Sequence, residues 1–532
     1  MSFINIHTNN LSRQLNNSTT FADNWVYVPG TSITGDYSKP YAFKSLEEFR
    51  NTCGAYGPEG SITYEYVAGL LSAGLPVLFR RIARQDQDTV SEKDYDTVPE
   101  GEEPRVRAMR ANYPFTSKDE TTGKTLVDLL VEEKFGGTYG NDMSFVYNPT
   151  EKAHWFEVYH NGVLLEKHKL ITITPADDTT EKINNKLINA INSFESDRVK
   201  LTLGEHVKAE TLALPATSER LTGGTDFPET LVNAEIVKTY NFISDKILYQ
   251  PKFLTAGGHF DDPSVEATPI ADKMKEISSA RQDCRALIDL PIGTLSGDQQ
   301  NAALKLAYQQ TSDTAPIPSA SICAPWCYMQ VGGSQLWMPP SFAYLTVVGN
   351  ALSKGGEVYT PKAGLTSGVI PNVLKTEFEI GASLSETWQD ETKVNINPIM
   401  KLQGGNYVIA GNSTLLLPEV SGNELNAFAE SSADLTVIEI RRFVYNLATE
   451  LQYQYNSTEA FETFSIRTAK FLEKMISEGA MSNYSIANAS TEDDPRTLKI
   501  KLDVYLTPTI KKIEIFLNVA YGSVNISTGG EA

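Results

Sequence analysis

The most regular alternation of apolar and polar positions in this chain lies near its C-terminus. From Leu498 the sequence reads L-K-I-K-L-D-V-Y-L, with Leu498, Ile500, Leu502, Val504 and Leu506 in one phase and Lys499, Lys501, Asp503 and Tyr505 in the other. That period predicts a half-buried strand. After Thr507-Pro508-Thr509 the alternation resumes from Ile510, with Ile513, Ile515, Leu517, Val519 and Tyr521 in phase. A second strand is therefore expected to run almost to the last residue. A strand this apolar at a chain end needs a partner, because an uncovered edge invites association. It is either the last strand of an internal sheet or a strand given to a neighbour.

The other chain end bears on that choice. Phe3-Ile4-Asn5-Ile6 is a short β-prone piece, and the Asn/Ser/Thr-rich tract from Thr8 to Thr20 behind it has little reason to fold alone. A β-prone piece on a polar tether suits strand donation. Five buried apolar side chains contribute roughly 7–15 kcal/mol, whereas ordering about ten residues costs on the order of 10–20 kcal/mol. Main-chain hydrogen bonds and engagement at both ends must tip the balance. Together the ends favour a polymer over a monomer.

Ahead of the terminal strands an amphipathic helix is predicted from Glu459 to Glu478, with Thr458 as its cap and Gly479 as its stop. Phe464, Thr468, Phe471, Leu472, Met475 and Ile476 fall on its buried side. Arg467, Lys470 and Lys474, at i, i+3 and i+7, form one basic stripe. The stripe is either a docking face or a plain solvated face beside Glu473 and Glu478.

Asn24 to Arg84 reads as a compact α/β unit. Trp25 to Val28 is a strand, Ser45-Leu46-Glu47-Glu48 has the form of a capping box, a second helix spans about Thr63 to Ala73, and Leu75 to Phe79 is a strand. Arg80, Arg81 and Arg84 follow as a cluster expected to be solvated or ion-paired. Ala83 to Thr125 is polar and reads as a linker. Leu126 to Asp226 is mostly β, with Trp155 to Tyr159, the turn pair Asn161-Gly162 and Val163 to Leu165 as a hairpin. One helix, about Thr180 to Asn192, interrupts it. His154, His160 and His168 lack carboxylates or thiols at ligand spacing and are expected as surface histidines.

Ile243 to Thr392 alternates strand and helix, with strands at Ile247-Leu248-Tyr249, Phe253-Leu254 and Arg285 to Pro291, and helices over Pro269 to Arg281 and Asp298 to Thr311. Asp289 stands at a strand end, where α/β active sites often lie. No nucleophile–base pair accompanies it, so a turn-forming or ion-paired role is expected. No G-x-S-x-G elbow, Walker A loop or H-E-x-x-H motif occurs.

Composition narrows the class. A chain of 532 residues, 41% hydrophobic and 10% aromatic, is globular and long enough for several domains. A net charge of −20 argues against a protein that wraps nucleic acid. No apolar run is long enough to span a membrane and no secretory signal opens the sequence, so cytoplasmic folding is expected. Four cysteines, Cys53, Cys284, Cys323 and Cys327, are too few for a disulfide scaffold. Cys323-Ala-Pro-Trp-Cys327 is C-x3-C rather than the redox C-x2-C, and no second Cys/His pair follows nearby, so it is read as two buried structural thiols. No cofactor is expected.

An ordered set of segments resembles phage contractile tail sheath proteins. It runs from Val26-Tyr27-Val28-Pro29-Gly30-Thr31 through Leu70-Leu71-Ser72-Ala73-Gly74 and Val77-Leu78-Phe79-Arg80 to Leu221-Thr222-Gly223-Gly224-Thr225-Asp226. It continues with Leu287-Ile288-Asp289-Leu290-Pro291, Ala324-Pro325-Trp326, Pro339-Pro340-Ser341, Pro361-Lys362-Ala363-Gly364, Val394 to Pro398 and Tyr407 to Leu415. It closes on Arg441-Arg442, Phe471-Leu472, Gly479-Ala480-Met481 and the terminal strands. Ala410, where sheaths often carry Trp, and the lack of an acidic residue from Thr346 to Gly356 are departures that concern the subfamily.

The resemblance implies a multidomain α+β protein and no enzyme. An inner α/β assembly domain would combine residues 23–90 and 393–509. A β-rich insertion (120–228) and an α/β insertion (235–392) would project from it, and arms at 1–22 and 510–532 would donate β-strands to neighbours. Phe3, Ile4, Ile6, Ile513, Ile515, Leu517 and Val519 would make the intersubunit strand contacts, and Arg467, Lys470 and Lys474 would face the tail tube. The implied partners are further copies in hexameric rings stacked helically, the tube protein, and baseplate and tail terminator proteins, with no nucleic acid and no membrane insertion. The implied place is the virion tail, assembled in the host cytoplasm. A related contractile injection system, a binding module built on the β-rich insertion, or a hydrolase on the α/β segment are the alternatives.

Overall fold

The computed structural model describes residues 24–83, 108–118, 124–293, 319–389, 395–490 and 496–510, with breaks of one to four residues inside these ranges. It also describes the backbone of Ile6–Asn10 and Arg13–Asn17. Phe3, Ile4, Arg84, the helix expected over Asp298 to Thr311, and Ile513, Ile515, Leu517 and Val519 lie outside the described residues.

An eight-stranded sheet organises the molecule. From one edge to the other it runs Tyr407–Ile409, Ile396–Lys401, Ala320–Ala324, Arg285–Ile288, Phe253–Leu254, Val26–Gly30, Val77–Arg81 and Tyr41–Phe43. The inner six strands are parallel and the two edge strands antiparallel. Val26–Gly30, Val77–Arg81 and Ala320–Ala324 are buried at every position. Parallel strands covered by helices on both faces read as continuous apolar runs for this reason.

One face carries the helices Leu46–Cys53, Thr63–Ser72, Pro340–Ser353, Ser431–Leu451 and Thr458–Ser477, whose side chains share a core with Val26, Phe79 and Phe253. The other carries Val232–Thr239, Pro269–Arg281 and Ala382–Trp388 around Tyr27, Ile236, Met274, Ile322 and Trp388. The helix Pro340–Ser353 is buried over its first ten residues. A helix apolar all round belongs inside the protein.

This sheet corrects the expected division into domains. Residues 235–392 do not form a separate α/β unit, because Phe253 pairs with Val26 on one side and with Arg285 on the other. Three distant chain segments therefore build one sheet. Periodicity reveals which residues face a core but not which strand lies alongside, and the expected boundary failed there. Leu248, read as part of a strand, lies in a turn and is 70% exposed.

The β-rich insertion comprises a four-stranded sheet (Val163–Thr172, Ala153–His160, Met143–Pro149, Thr217–Arg220) and a three-stranded one (Val199–Leu203, Thr125–Glu133, Asn112–Lys118). Its own core includes Phe145, Phe156, Val131, Leu187 and Ile191, the last two from the helix Thr180–Asn192. At the tip of the hairpin Asn161 (φ 47°) and Gly162 (φ 79°) take the left-handed conformations a tight two-residue turn demands. The unit starts earlier than expected: Asn112–Lys118, read as linker, pairs with Thr125–Glu133. Only Phe115 of that strand is buried, so its sequence gave little sign of it. The N-terminal polar tract also pairs, Ile6–Asn10 antiparallel to Arg13–Asn17, although an isolated hairpin was not expected there.

Candidate assembly surfaces

The C-terminal strand Ile500–Leu506 pairs antiparallel with Met481–Asn488, a strand the sequence reading missed. Met481–Asn488 is rich in Asn and Ser. Its signal was the faint alternation of half-buried Tyr484 and Ile486 with exposed neighbours. Leu502, Val504 and Leu506 pack against the core that contains Leu472 and Met475, while Lys501 and Tyr505 are exposed. The alternation read from the sequence thus sets the buried face.

Among the described residues no third strand joins this pair. A two-stranded sheet seated on a helix layer presents two edges of backbone donors and acceptors, which is the chemistry that accepts an added strand. The chain leaves this sheet along a fixed path. Thr507 N–H donates to Ala480 O at 3.1 Å, and the Thr509 N–H and hydroxyl both donate to one Glu430 carboxylate oxygen, at 3.0 and 2.9 Å. Ile510, next in line, is 81% exposed.

The helix Thr458–Ser477 supports the pair. Its cap is Ser457, whose hydroxyl accepts the Ala460 N–H at 3.3 Å, rather than the expected Thr458, which takes the first helical position. Phe464, Thr468, Leu472 and Met475 are buried, and Phe471 and Ile476 half-buried. The basic stripe is exposed but engaged in part within the subunit. Arg467 donates to Glu450, bridging to the preceding helix, and that bond holds its guanidinium more basic than usual. Lys474 bonds Glu357 and lies 3.8 Å from Glu478, and the Glu357 bond likewise raises its ammonium. Lys470 has no ion-pair partner among the described residues. The exposed apolar groups nearby are Ile466 on the same helix and, in the preceding loop, Tyr453 and Tyr455, which are 89% and 94% exposed.

The remaining candidates are structural. Arg80 and Arg81 are buried, not solvated. Arg80 stacks over Phe242 at 3.8 Å. Arg81 donates to the carbonyls of Ser32, Gly35, Phe135 and Gly136 at 2.6–3.1 Å, tying the neck of the insertion to the sheet. Glu133 lies beside it, accepting from the Thr34 hydroxyl at 3.2 Å and from Gly136 N–H. Across the neck Asp226 accepts the N–H and hydroxyl of Thr138, both at 2.8 Å, and Asn141 exchanges two hydrogen bonds with Gly224. A side chain on Gly224 would meet the Gly137 carbonyl at 2.3 Å, so this connecting segment needs glycine there.

Among the described residues Asp289 has no ion-pair partner, and it is not a turn former. It lies buried and receives the first turn of Pro340–Ser353 through Ser341. The three histidines are half-buried and do not converge: His154 meets the Tyr147 hydroxyl at 2.8 Å, His160 stacks on Tyr139, and His168 meets Glu166 at 2.8 Å. All four cysteines are buried and unpaired, and burial pushes the Cys323 thiol up to about 12 and Cys327 higher still. Among the described residues no His/Cys/Asp/Glu group is arranged to hold a metal, and no helix is long and apolar enough to cross a membrane.

No protein-family model matches the chain, and no curated protein matches its sequence. Solved structures do. The sheath tail protein from Listeria innocua aligns with a TM-score of 0.59 at 9% identity, over 92% of this chain and 94% of that one. The sheath tail protein from Desulfitobacterium hafniense aligns with a TM-score of 0.54 at 10% identity, over 96% and 98%. This chain has the fold of those sheath tail proteins, with mixed helices and several sheets.

Proposed function

We propose that this chain is the structural subunit of a contractile phage tail sheath. Copies polymerise helically as stacked hexameric rings around a tail tube, and contraction drives the tube through the host envelope. The observation that carries this reading is the two-way coverage, with more than nine-tenths of this chain matched to more than nine-tenths of each sheath tail protein. A shared substructure alone would leave large unmatched parts.

In this reading the arms join the subunits. Phe3, Ile4 and Ile6 at one end, and Ile513, Ile515, Leu517 and Val519 at the other, add strands to the open edges of neighbours' terminal sheets. Glu430, by gripping Thr509, supports a fixed exit for the C-terminal arm. Two different donor ends make heterologous contacts, which propagate a helix unless the rotation closes a ring. The outer helix Thr458–Ser477 meets the tube through Arg467, Lys470 and Lys474. Baseplate and terminator proteins cap the polymer, which is assembled in the host cytoplasm and carried in the virion. The subunit is no enzyme, and energy stored in the extended polymer at assembly powers the movement.

Electron microscopy of the purified chain tests the reading. Tubes or ring stacks are expected. Variants lacking residues 1–20, or everything from 510 onward, should stay folded yet form none. A full-length chain that remains monomeric at high concentration refutes the sheath, and tubes from both truncations refute the arms.

A further inference from the structure

Asp289 directly follows the strand Arg285–Ile288 and is 5% exposed. One of its carboxyl oxygens accepts the Ser341 N–H at 2.8 Å, and the other lies 2.5 Å from the Ser341 hydroxyl. That hydroxyl lies 2.8 Å from the Tyr66 hydroxyl, and either of the two can donate. The chain of hydrogen bonds links three parts of the fold: a strand end, the buried helix Pro340–Ser353 and the helix Thr63–Ser72.

The groups that face Asp289 are themselves uncharged at neutral pH. They are Tyr66 from its helix, Tyr240 from the short turn Tyr240–Ile243, and Cys323 from the strand Ala320–Ala324. Burial raises the hydroxyl or thiol of each above its ordinary range. The cation on Asp289's own strand, Arg285, is spent on Ser431 and lies 4.0 Å from Asp434. No ion pair among the described residues includes Asp289.

We propose that Asp289, Ser341 and Tyr66 form a proton-switched relay that seats the buried helix. With Asp289 ionised, the hydroxyl donors run from Tyr66 to Ser341 to Asp289. With a proton on Asp289 they reverse, from Asp289 to Ser341 to Tyr66. The Ser341 N–H donates to the carboxyl in both states, so each of the three groups keeps a partner in either. An apolar seat would lack the second state, and a salt bridge would lock the first.

Burial without a counter-ion raises the Asp289 carboxyl to about 7. A carboxyl raised in the folded state takes its proton there first. The resulting stabilisation is complete below the unfolded value near 4 and is lost as pH rises through about 7. Between pH 8 and pH 5 the folding equilibrium should gain roughly 100-fold from this one group.

The test compares the full-length parent, Asp289→Asn and Tyr66→Phe. Infrared difference spectra taken from pH 8 to pH 5 should show a protonated-carboxyl C=O band that grows in the parent by one carboxyl more than in Asp289→Asn. Urea unfolding at the two pH values should show the parent gaining about two decades relative to Asp289→Asn. Tyr66→Phe removes the onward acceptor for the reversed relay, so the midpoint of the band should move to lower pH. That variant keeps the test alive if Asp289→Asn does not fold. An identical band and pH slope in Asp289→Asn, or an unmoved midpoint in Tyr66→Phe, overturns the relay.

Discussion

Replacing Arg81 with methionine should loosen the neck of the insertion more than any other single change in that region. The guanidinium makes five hydrogen bonds to four carbonyls, two on the Ser32–Gly35 loop and two at Phe135 and Gly136. Its charge also opposes that of buried Glu133, whose carboxyl burial raises and Arg81 draws back down. Methionine keeps most of the stem volume, so the loss is electrostatic and not a cavity. Removing one member of a buried charge pair costs about 3–5 kcal/mol. The exposed carbonyls add to this only as far as water fails to reach them.

For 532 residues unfolding as one unit, an entropy near 2.1 cal/mol/K per residue converts that to a melting shift of about 3–5 °C. Calorimetry on the full chain reads the shift, and limited proteolysis should show faster cleavage near residues 83 and 108. Arg81→Lys keeps the charge but offers three donors where the guanidinium offers five, so it should fall between parent and Met variant. A Met variant that melts within a degree of the parent and resists proteolysis equally refutes the clamp.

Ser457→Ala should cost about 1 kcal/mol in urea unfolding, whereas Thr458→Ala should cost a few tenths, because Ser457 makes the capping bond. A larger loss at Thr458 would reverse that assignment. The Lys470→Glu variant should weaken tube attachment in a salt-sensitive way while leaving the melting temperature unchanged. Reversing Arg467 or Lys474 should also lower stability, since each would then face Glu450 or Glu357 with like charge. Tube binding by Lys470→Glu equal to the parent at low salt would show a merely solvated lysine. Finally, a thiol reagent at pH 8 should label none of the four cysteines until the chain is unfolded. All four are buried, with Cys53, Cys284 and Cys323 raised to about 12. Rapid labelling of the native protein would contradict that burial.

Local grammar was legible in the chain. The capping box of Ser45 and Glu48, the Asn161-Gly162 turn, the helices at 180–192 and 269–281, and the alternating face of Ile500–Leu506 all appear at or within a residue or two of where the pattern put them. Each depends on neighbours a few residues apart, through a cap bond, a dihedral preference or a repeat of hydrophobic contact. The motifs that resemble sheath proteins were likewise readable, and the shared fold agrees with them.

What the sequence left open depends on partners far along the chain. Arg80 and Arg81 looked like surface charge because nothing adjacent announces four carbonyls from two distant loops. Asp289 looked like a turn residue because its partners, Ser341 and Tyr66, lie 52 and 223 positions away. Met481–Asn488, rich in Asn and Ser, carried no strand expectation and owes its place in a sheet to Ile500–Leu506 beside it. The division into inner and middle domains dissolved once Phe253 took its place between Val26 and Arg285. The sequence by itself settled which residues prefer helix, turn or strand and which side of each seeks a core. The tertiary structure alone decided which strand lies next to which and where a buried charge finds its counterpart. Those choices are made by long-range packing and desolvation, whose free energies do not exist until the distant segments meet.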